Sequence, residues 1–323
     1  MSRPTVVFAV LATLIVLVLT LGVVACGTVE KPPGGGGSSS TVPPDSTSSS
    51  DTTSSTIPGS TSTTLSAGSI AHPTGAADVV IRFSTGGGFV PIEFNYTMVP
   101  EFTLYGDGRI IETGPVTMQY PGMALPNLQT TIVSEDVIQT MLAAAKEAGL
   151  LQNGVDYGQP GVADVGTTTV TVNAGGATYT SQIYALGFET GGNLTMQQQQ
   201  ARAAISSLQG KLIDPSTLTG EQPAWESYDF TAIRVYSRVF DATTTGSTEI
   251  QPGHLPWPLA DLATSGAEVA NGQGLRMVVV AGDDLTTIKP LLQKATEITL
   301  WDSGEAKYNV WLRPLLPDEA AAL

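Results

Sequence analysis

Hydrophobic and polar positions along the chain fall into three regimes. Residues 5–21 are almost continuously apolar, and residues 27–76 hold almost no large apolar side chain. From residue 77 onward, apolar residues recur with the periods of strands and helices. Within this third regime, 78–84 predicts a strand that leads into Gly86-Gly87-Gly88 and Phe89-Val90-Pro91. Segments 101–105 and 109–113, joined by Gly106-Asp107-Gly108, predict a hairpin, because Asp-Gly between alternating apolar residues supplies the positive φ the turn needs. Ser134 is placed to cap a helix whose first turn carries Glu135 and Asp136 at the positive end of its dipole. Val137, Ile138, Met141, Leu142 and Ala145 share one face of that helix, and Gly149 stops it with Leu150 folding back. Strands at 167–173 and 177–186 follow, joined by Ala174-Gly175-Gly176. A second helix opens with the capping box Thr195-Met196-Gln197-Gln198 and runs to about Leu212, with Ala201, Ala204, Ile205 and Leu208 expected inside.

Beyond a polar linker at 215–223, residues 230–239 alternate as a strand, 252–258 form a proline-rich patch, and 275–280 make a continuous apolar strand. Asp284 is placed to cap a helix toward Lys294, but Pro290 would disturb its interior, so a short turn and a late helix start are expected. A closing hairpin pairs 297–301 with 308–313 through Ser303-Gly304. The pattern predicts an α+β chain of two small modules, 77–214 and 224–318. Each is a mainly antiparallel sheet with packed helices.

The first module resembles a family of uncharacterised domains in exported bacterial proteins. The residues that carry the likeness are Phe102-Thr103-Leu104-Tyr105-Gly106-Asp107-Gly108, the Ser134 helix ending at Ala148-Gly149-Leu150, Asp156-Tyr157, and Asp164 through the 167–172 strand. It covers about Val79 to Leu212. The resemblance implies a fold and a compartment and brings no reaction. Members often have two cysteines near the position of Gly86 to Pro91; this chain has none there.

The apolar run at 5–21 changes the picture of the whole chain. Arg3 precedes it, and Val23-Val24-Ala25-Cys26 ends it with the only cysteine of the protein. Charge, apolar core and small residue in that order make an export signal. The last four residues resemble a bacterial lipoprotein signal, which implies cleavage after residue 25 and acylation of Cys26. Two or three acyl chains would anchor the protein stably to the membrane, at about 0.8 kcal/mol per buried CH₂. The alternative is an uncleaved transmembrane helix, since the run approaches the roughly 20 residues that span a bilayer. Arg3 holds the amino terminus inside under either reading, so the rest of the chain lies outside the cytoplasm.

Residues 26–76 then read as the lipidated cysteine and a disordered tether rich in Ser, Thr, Gly and Pro, too poor in apolar surface to offset the entropy of ordering. For about 50 residues the root-mean-square reach is about 40 Å. Two of the 14 basic and three of the 29 acidic residues precede Ala77, so the remainder carries a net charge of −14. Without a Lys/Arg cluster, such a surface disfavours nucleic acid and anionic headgroups as partners.

Candidate chemistry is sparse. His72 lies in the tether and His254 in the proline-rich patch, and the chain lacks G-x-S-x-G and H-E-x-x-H. Gly86-Gly87-Gly88 is better read as a bend than as an anion cradle, because no Lys-Ser/Thr follows. Asp107, Asp156 and Asp164 are the candidate carboxylates for acid–base work, with Tyr157 beside them; the competing reading is that they satisfy turn and loop backbone. Asp283 and Asp284 are candidates for a cation, with helix capping preferred. Among the tryptophans, Trp257 and Trp301 are candidates for stacking on a sugar or peptide, against a role in the core. No cofactor motif is present. These observations favour a non-enzymatic envelope lipoprotein that binds a protein or wall glycan. A carboxylate-dependent hydrolase of wall glycan or peptide and a structural or assembly factor are the alternatives.

Overall fold

The computed structural model describes residues 68–189, 191–220, 222–243 and 250–323, and contains all nine strands that the alternation predicts. The apolar run at 5–21, Cys26 and the tether as far as residue 67 lie outside the described residues. Among the described residues, no helix is long and apolar enough to cross a membrane.

The first sheet is built from β1 (Val79–Gly86), β2 (Phe102–Tyr105), β3 (Arg109–Thr113), β4 (Leu128–Ile132), β5 (Thr167–Ala174), β6 (Ala177–Tyr184) and β7 (Glu226–Ser227). Its order is β6-β5-β1-β2-β3-β4-β7, antiparallel throughout. The short α1 (Ile92–Thr97) lies between β1 and β2 in sequence. Register explains the core. Ile81 stands opposite Leu104 and Val172, and Phe83 opposite Phe102 and Val170, so one face of the three central strands is wholly apolar. Onto it pack α2 (Glu135–Glu147) through Ile138, Met141, Leu142 and Ala145, and α3 (Met196–Ile213) through Ile205, Leu208 and Leu212. Each such side chain, fully buried, contributes roughly 1.5–3 kcal/mol.

Helix ends follow the sequence with two differences. Gly149 has φ +80°, the Gly149 N–H donates to Lys146 O and the Leu150 N–H to Ala145 O, a paired C-terminal closure with Leu150 buried on it. The Thr195–Gln198 capping box forms in both directions. Ser134 occupies the N-cap of α2, but its side chain makes no capping bond. Ala204, expected inside, is exposed, and Arg202 takes the buried position on that face of α3. The linker at 215–223 contains α4 (Ser216–Thr219), whose Leu218 packs against the core.

His72 and its neighbours are not tether. The Ile70 N–H donates to Gln139 Oε1 and Gln139 Nε2 donates back to Ile70 O. The His72 side chain is buried between Pro73 O (2.7 Å) and Glu135 (3.1 Å). Two-way amide bonding and a buried imidazole hold this segment on α2, so the folded part begins before the boundary expected at residue 77. The long free edge at β6 is guarded: Asn153 accepts from the Thr180 N–H and donates to Thr178 O, occupying the groups another strand would pair with.

The second sheet comprises β8 (Ala232–Val239), β9 (His254–Pro256), β10 (Ala267–Glu268), β11 (Arg276–Ala281), β12 (Leu300–Ser303) and β13 (Ala306–Pro314), in the order β10-β11-β8-β13-β12-β9. Only the β9–β12 pairing is parallel. Its core face gathers Ile233, Val235, Val280, Val310 and Leu312 under α5 (Gly282–Leu292). This helix corrects the expectation of a turn and a late start, for it runs unbroken with Pro290 inside it. Pro290 is the ninth of its 11 residues; it removes the one N–H bond to the carbonyl of Thr286, and the helix continues through Leu292. Leu285, Ile288 and Leu292 stay buried on either side.

The two sheets share an interface. Residues 226–227 follow the linker yet pair with β4 of the first sheet, and Ala124 and Leu125 of the first half pack on the second core. After β13 the chain crosses to the other face of the first sheet, where Leu316 joins Tyr105, Ile111 and Leu128 in a third cluster and α6 (Pro317–Ala320) follows. Asp318 accepts two bonds from the Arg82 guanidinium, at 2.7 and 3.0 Å, and one from Tyr105 OH at 2.7 Å. Glu319 takes Arg313, whose Nε donates to Met98 O. Burial pushes the Asp318 carboxyl up, but its bonds from Arg82 and Tyr105 outweigh this and hold it below the usual carboxylate range. A depressed carboxyl stabilises the fold above its unfolded value and loses that contribution as pH falls through the folded one. Asp318→Asn is therefore expected to lower stability by about 1–2 kcal/mol at pH 7. In urea unfolding at a series of pH values, the gap from wild type should close below about pH 4; a gap independent of pH would contradict the assignment.

Candidate functional site

The carboxylates singled out by sequence are not brought together. Asp107 accepts from the Arg109 N–H and pairs with the Arg109 guanidinium, as a turn residue does. Its turn adjoins the start of β1, where the Gly106 N–H donates to Asp78 O. Asp164 lies beyond the other end of β1, where its carbonyl accepts from the Phe89 N–H. The intervening eight-residue strand spans roughly 26 Å. Asp164 has φ +62°, one of four described non-glycine residues in the left-handed region. Asp156 accepts from the Gly158 N–H and from Gln198 Nε2 at the start of α3. Tyr157 is buried, its hydroxyl 2.9 Å from Ser181 Oγ. The Asp107 and Asp156 carboxylates satisfy local groups, and the three aspartates are not brought together.

The other candidates also resolve into structure. Asp283 and Asp284 sit in the first turn of α5, and the N-cap is Ala281. The helix begins before Asp284, which therefore cannot cap it. Among the described residues, no three His, Cys, Asp or Glu side chains group as metal ligands would. His254 belongs to β9, with Nδ1 3.5 Å from Asp302. Trp257 and Trp301 are buried in the second core, edge to face with centroids 5.6 Å apart, so neither offers a stacking surface. Gly87 and Gly88 both adopt positive φ, and the Gly87 N–H donates to Asn95, which makes the glycine run a bend.

The feature that sequence reading missed is a groove of about 290 Å³ where α1 meets the second sheet. Pro91, Phe94 and Thr97 form one wall, Ala124 and Glu297 the other, and Val310, Trp311 and Leu312 of β13 the floor. Two contacts seat α1. Glu93, itself buried, takes an ion pair from Arg238, whose guanidinium lies 5.2 Å from the centroid of the Trp311 ring. Tyr96 stacks on Tyr236 at 5.5 Å. With those two side chains turned inward, Phe94 is left 54% exposed at the groove.

The opposite wall belongs to the connection between β3 and β4. Its base is closed by the Gly114 N–H to Asn127 O and by Asn127 Nδ2 to Pro115 O. Its far limb is pinned to the second sheet by the Ala124 N–H to Ala295 O, by the Glu297 N–H to Gly122 O, and by the Gly122 N–H to Glu297 Oε1 at 3.0 Å. Residues 114–127 contain no charged side chain, and Val116, Met118, Tyr120 and Met123 are each more than half exposed. On the other flank, Phe89 is 89% exposed. An unstructured connection of this length in a packed chain is usually functional, and large apolar side chains held out on it mark an interaction surface. The signal was present in sequence as Val, Met, Tyr and Leu without period, broken by Gly114, Pro115, Pro121, Gly122 and Pro126 and free of charge.

Compared with protein-family models, with curated proteins and with solved structures, the chain gives no match.

Proposed function

We propose that this chain is a lipoprotein of the cell envelope, anchored through Cys26 and without catalytic activity, which binds a protein partner in the groove between α1 and the 114–127 connection. One observation carries the reading: a groove floored by Trp311 and walled by Phe94 and Ala124, beside a charge-free connection whose Met118, Tyr120 and Met123 remain exposed although the chain has apolar cores to receive such residues. Six of its nine lining residues are apolar, Phe94 and Trp311 among them, and Glu93, Thr97 and Glu297 are the other three. That suits an apolar side chain of a protein better than a glycan, which needs an open aromatic platform beside polar groups. The volume equals that of about ten liquid waters, enough to take one large side chain.

Site-specific photo-crosslinking in intact cells tests this. A photoreactive residue at Phe94 or Glu297 of the full chain, both lining the groove, should give the same discrete protein adduct. The same residue at Ile132, also exposed but outside the groove, should not. Adducts at all three positions, or at none, would reject the groove as the binding surface. In the same cells Cys26→Ser should release the protein from the membrane fraction.

A further inference from the structure

We infer that the segment the groove takes is basic and amphipathic, with a large apolar anchor flanked by Lys or Arg; this rests on the binding reading above. The groove is lined by six apolar residues together with Thr97 and two carboxylates, Glu93 and Glu297. Glu297 is exposed, and its Oε1 is held by the Gly122 N–H, which fixes the carboxylate at the mouth. Among the described residues, its Oε2 has no hydrogen-bond partner. No Lys or Arg occurs in 86–98 or 114–127, the two segments that wall the groove. The cation nearest its floor is already engaged, since Arg238 pairs with Glu93 against Trp311. Lys294, three residues before Glu297, lines a separate pocket with His254. An incoming cation therefore meets a positioned carboxylate, while the two guanidinium groups beside the floor, Arg238 and Arg313, are already paired with Glu93 and Glu319.

The field of the whole folded part acts in the same direction. Its net charge of −14 speeds the approach of a basic segment and repels an acidic one, an effect that falls with salt. An exposed pair such as Glu297 with Lys contributes at most about 1 kcal/mol, or about fivefold in affinity. The apolar anchor supplies most of the binding, and charge decides which anchor is accepted.

The full chain in detergent micelles can be titrated calorimetrically with three synthetic twelve-residue peptides. They share one central Leu-Phe anchor and carry four flanking Lys, Gln or Glu. The Lys peptide should bind at least about fivefold more tightly than the Gln peptide at 50 mM salt. Glu297→Gln should remove a factor of about three to five from the Lys peptide and nothing from the Gln peptide. Phe94→Ser should weaken both equally. Equal affinity for the Lys and Gln peptides, both lost in Phe94→Ser, would overturn the inference and leave the groove standing. No binding by any peptide, or binding indifferent to Phe94→Ser, would overturn the groove and the inference together. Phe94 is more than half exposed, so its replacement should leave the fold intact, and circular dichroism of the variant checks this.

Discussion

Replacing Arg202 with methionine should lower the stability of the folded part by about 3–5 kcal/mol, the largest loss expected from any single substitution discussed for this protein. Arg202 is completely buried on α3 and works as a hub for backbone carbonyls. Its guanidinium donates to Tyr184 O (2.9 Å), Phe188 O (3.3 Å), Tyr157 O (3.4 Å) and Ala185 O, and lies 3.6 Å from Glu189 Oε2. Ala185 needs the support most, since it holds φ +51° with its side chain buried, a conformation that costs a non-glycine residue roughly 1–2 kcal/mol. Burial lowers the Arg202 pKa and Glu189 partly restores it; the group stays charged at any ordinary pH. Methionine fills the space but leaves the carbonyls at the end of β6 without their donor and the Glu189 carboxylate without its ion-pair partner. Arg202→Lys should recover only part of the loss, because one ammonium cannot serve four carbonyls that a planar fork reaches together. Urea unfolding reads both. A methionine variant within 1 kcal/mol of wild type would show the hub to be dispensable, as replacement of a buried ion by a hydrophobe sometimes is.

Arg202 also shows where sequence reading fails. The strands were legible because the period of two survives tertiary packing: Ile81 and Phe83, or Val170 and Val172, alternate toward one core as the sequence suggests. The Gly149 closure and the Thr195–Gln198 box were legible because they are local, decided within six residues. By contrast, Ala204 looked like the inward position on α3 because an arginine is assumed to face water. What turned Arg202 inward is a cluster of carbonyls contributed by residues 157 and 184–188, and no local pattern records that convergence. Pro290 misled in the other direction. Its rule is local, but the burial of Leu285, Ile288 and Leu292 against the second core holds the helix together across the one bond the proline removes.

The groove was illegible for a related reason. Its floor comes from residues 310–312, its walls from 91–97 and from 124 and 297, and it exists only because the 114–127 connection is pinned to both sheets. Trp311 stands between the core residues Val310 and Leu312 on β13, and Arg238 and the groove meet it. Trp257 and Trp301, the more conspicuous candidates beside the proline-rich patch, are core residues. Exposure can be read from composition only where charge is absent over a whole segment, as it is at 114–127. The proposed site is therefore built from the two parts of the first half that carry no strand or helix periodicity strong enough to be assigned.

Glu112 supplies the second large effect, and its sign is opposite to that of Asp318. The side chain is 4% exposed on β3; Oε1 accepts from Gln129 Nε2 at 2.7 Å, and Oε2 is buried without a partner among the described residues. Burial pushes the carboxyl up, Gln129 pulls it part of the way back, the charge of Asp214 pushes it up again, and the result is about 7. The unfolded value is about 4.3, so between these two limits the native state holds a proton that the unfolded state has released. Stability therefore falls as pH rises from about 4.3 to about 7, and levels off above that. A shift of this size corresponds to about 3 kcal/mol at pH 8. Glu112→Gln keeps the shape and the bond to Gln129 but never carries the charge. It should be more stable than wild type by about 2–3 kcal/mol at pH 8 and nearly equal to it at pH 4.5. The Asp318 contribution is constant above about pH 4 and is lost only below it, so the two pH effects separate in one set of urea curves. Parallel wild-type and Glu112→Gln profiles across pH 5–8 would mean that the carboxylate is solvated when charged, and that the end of α3 near Asp214 opens to let water reach it.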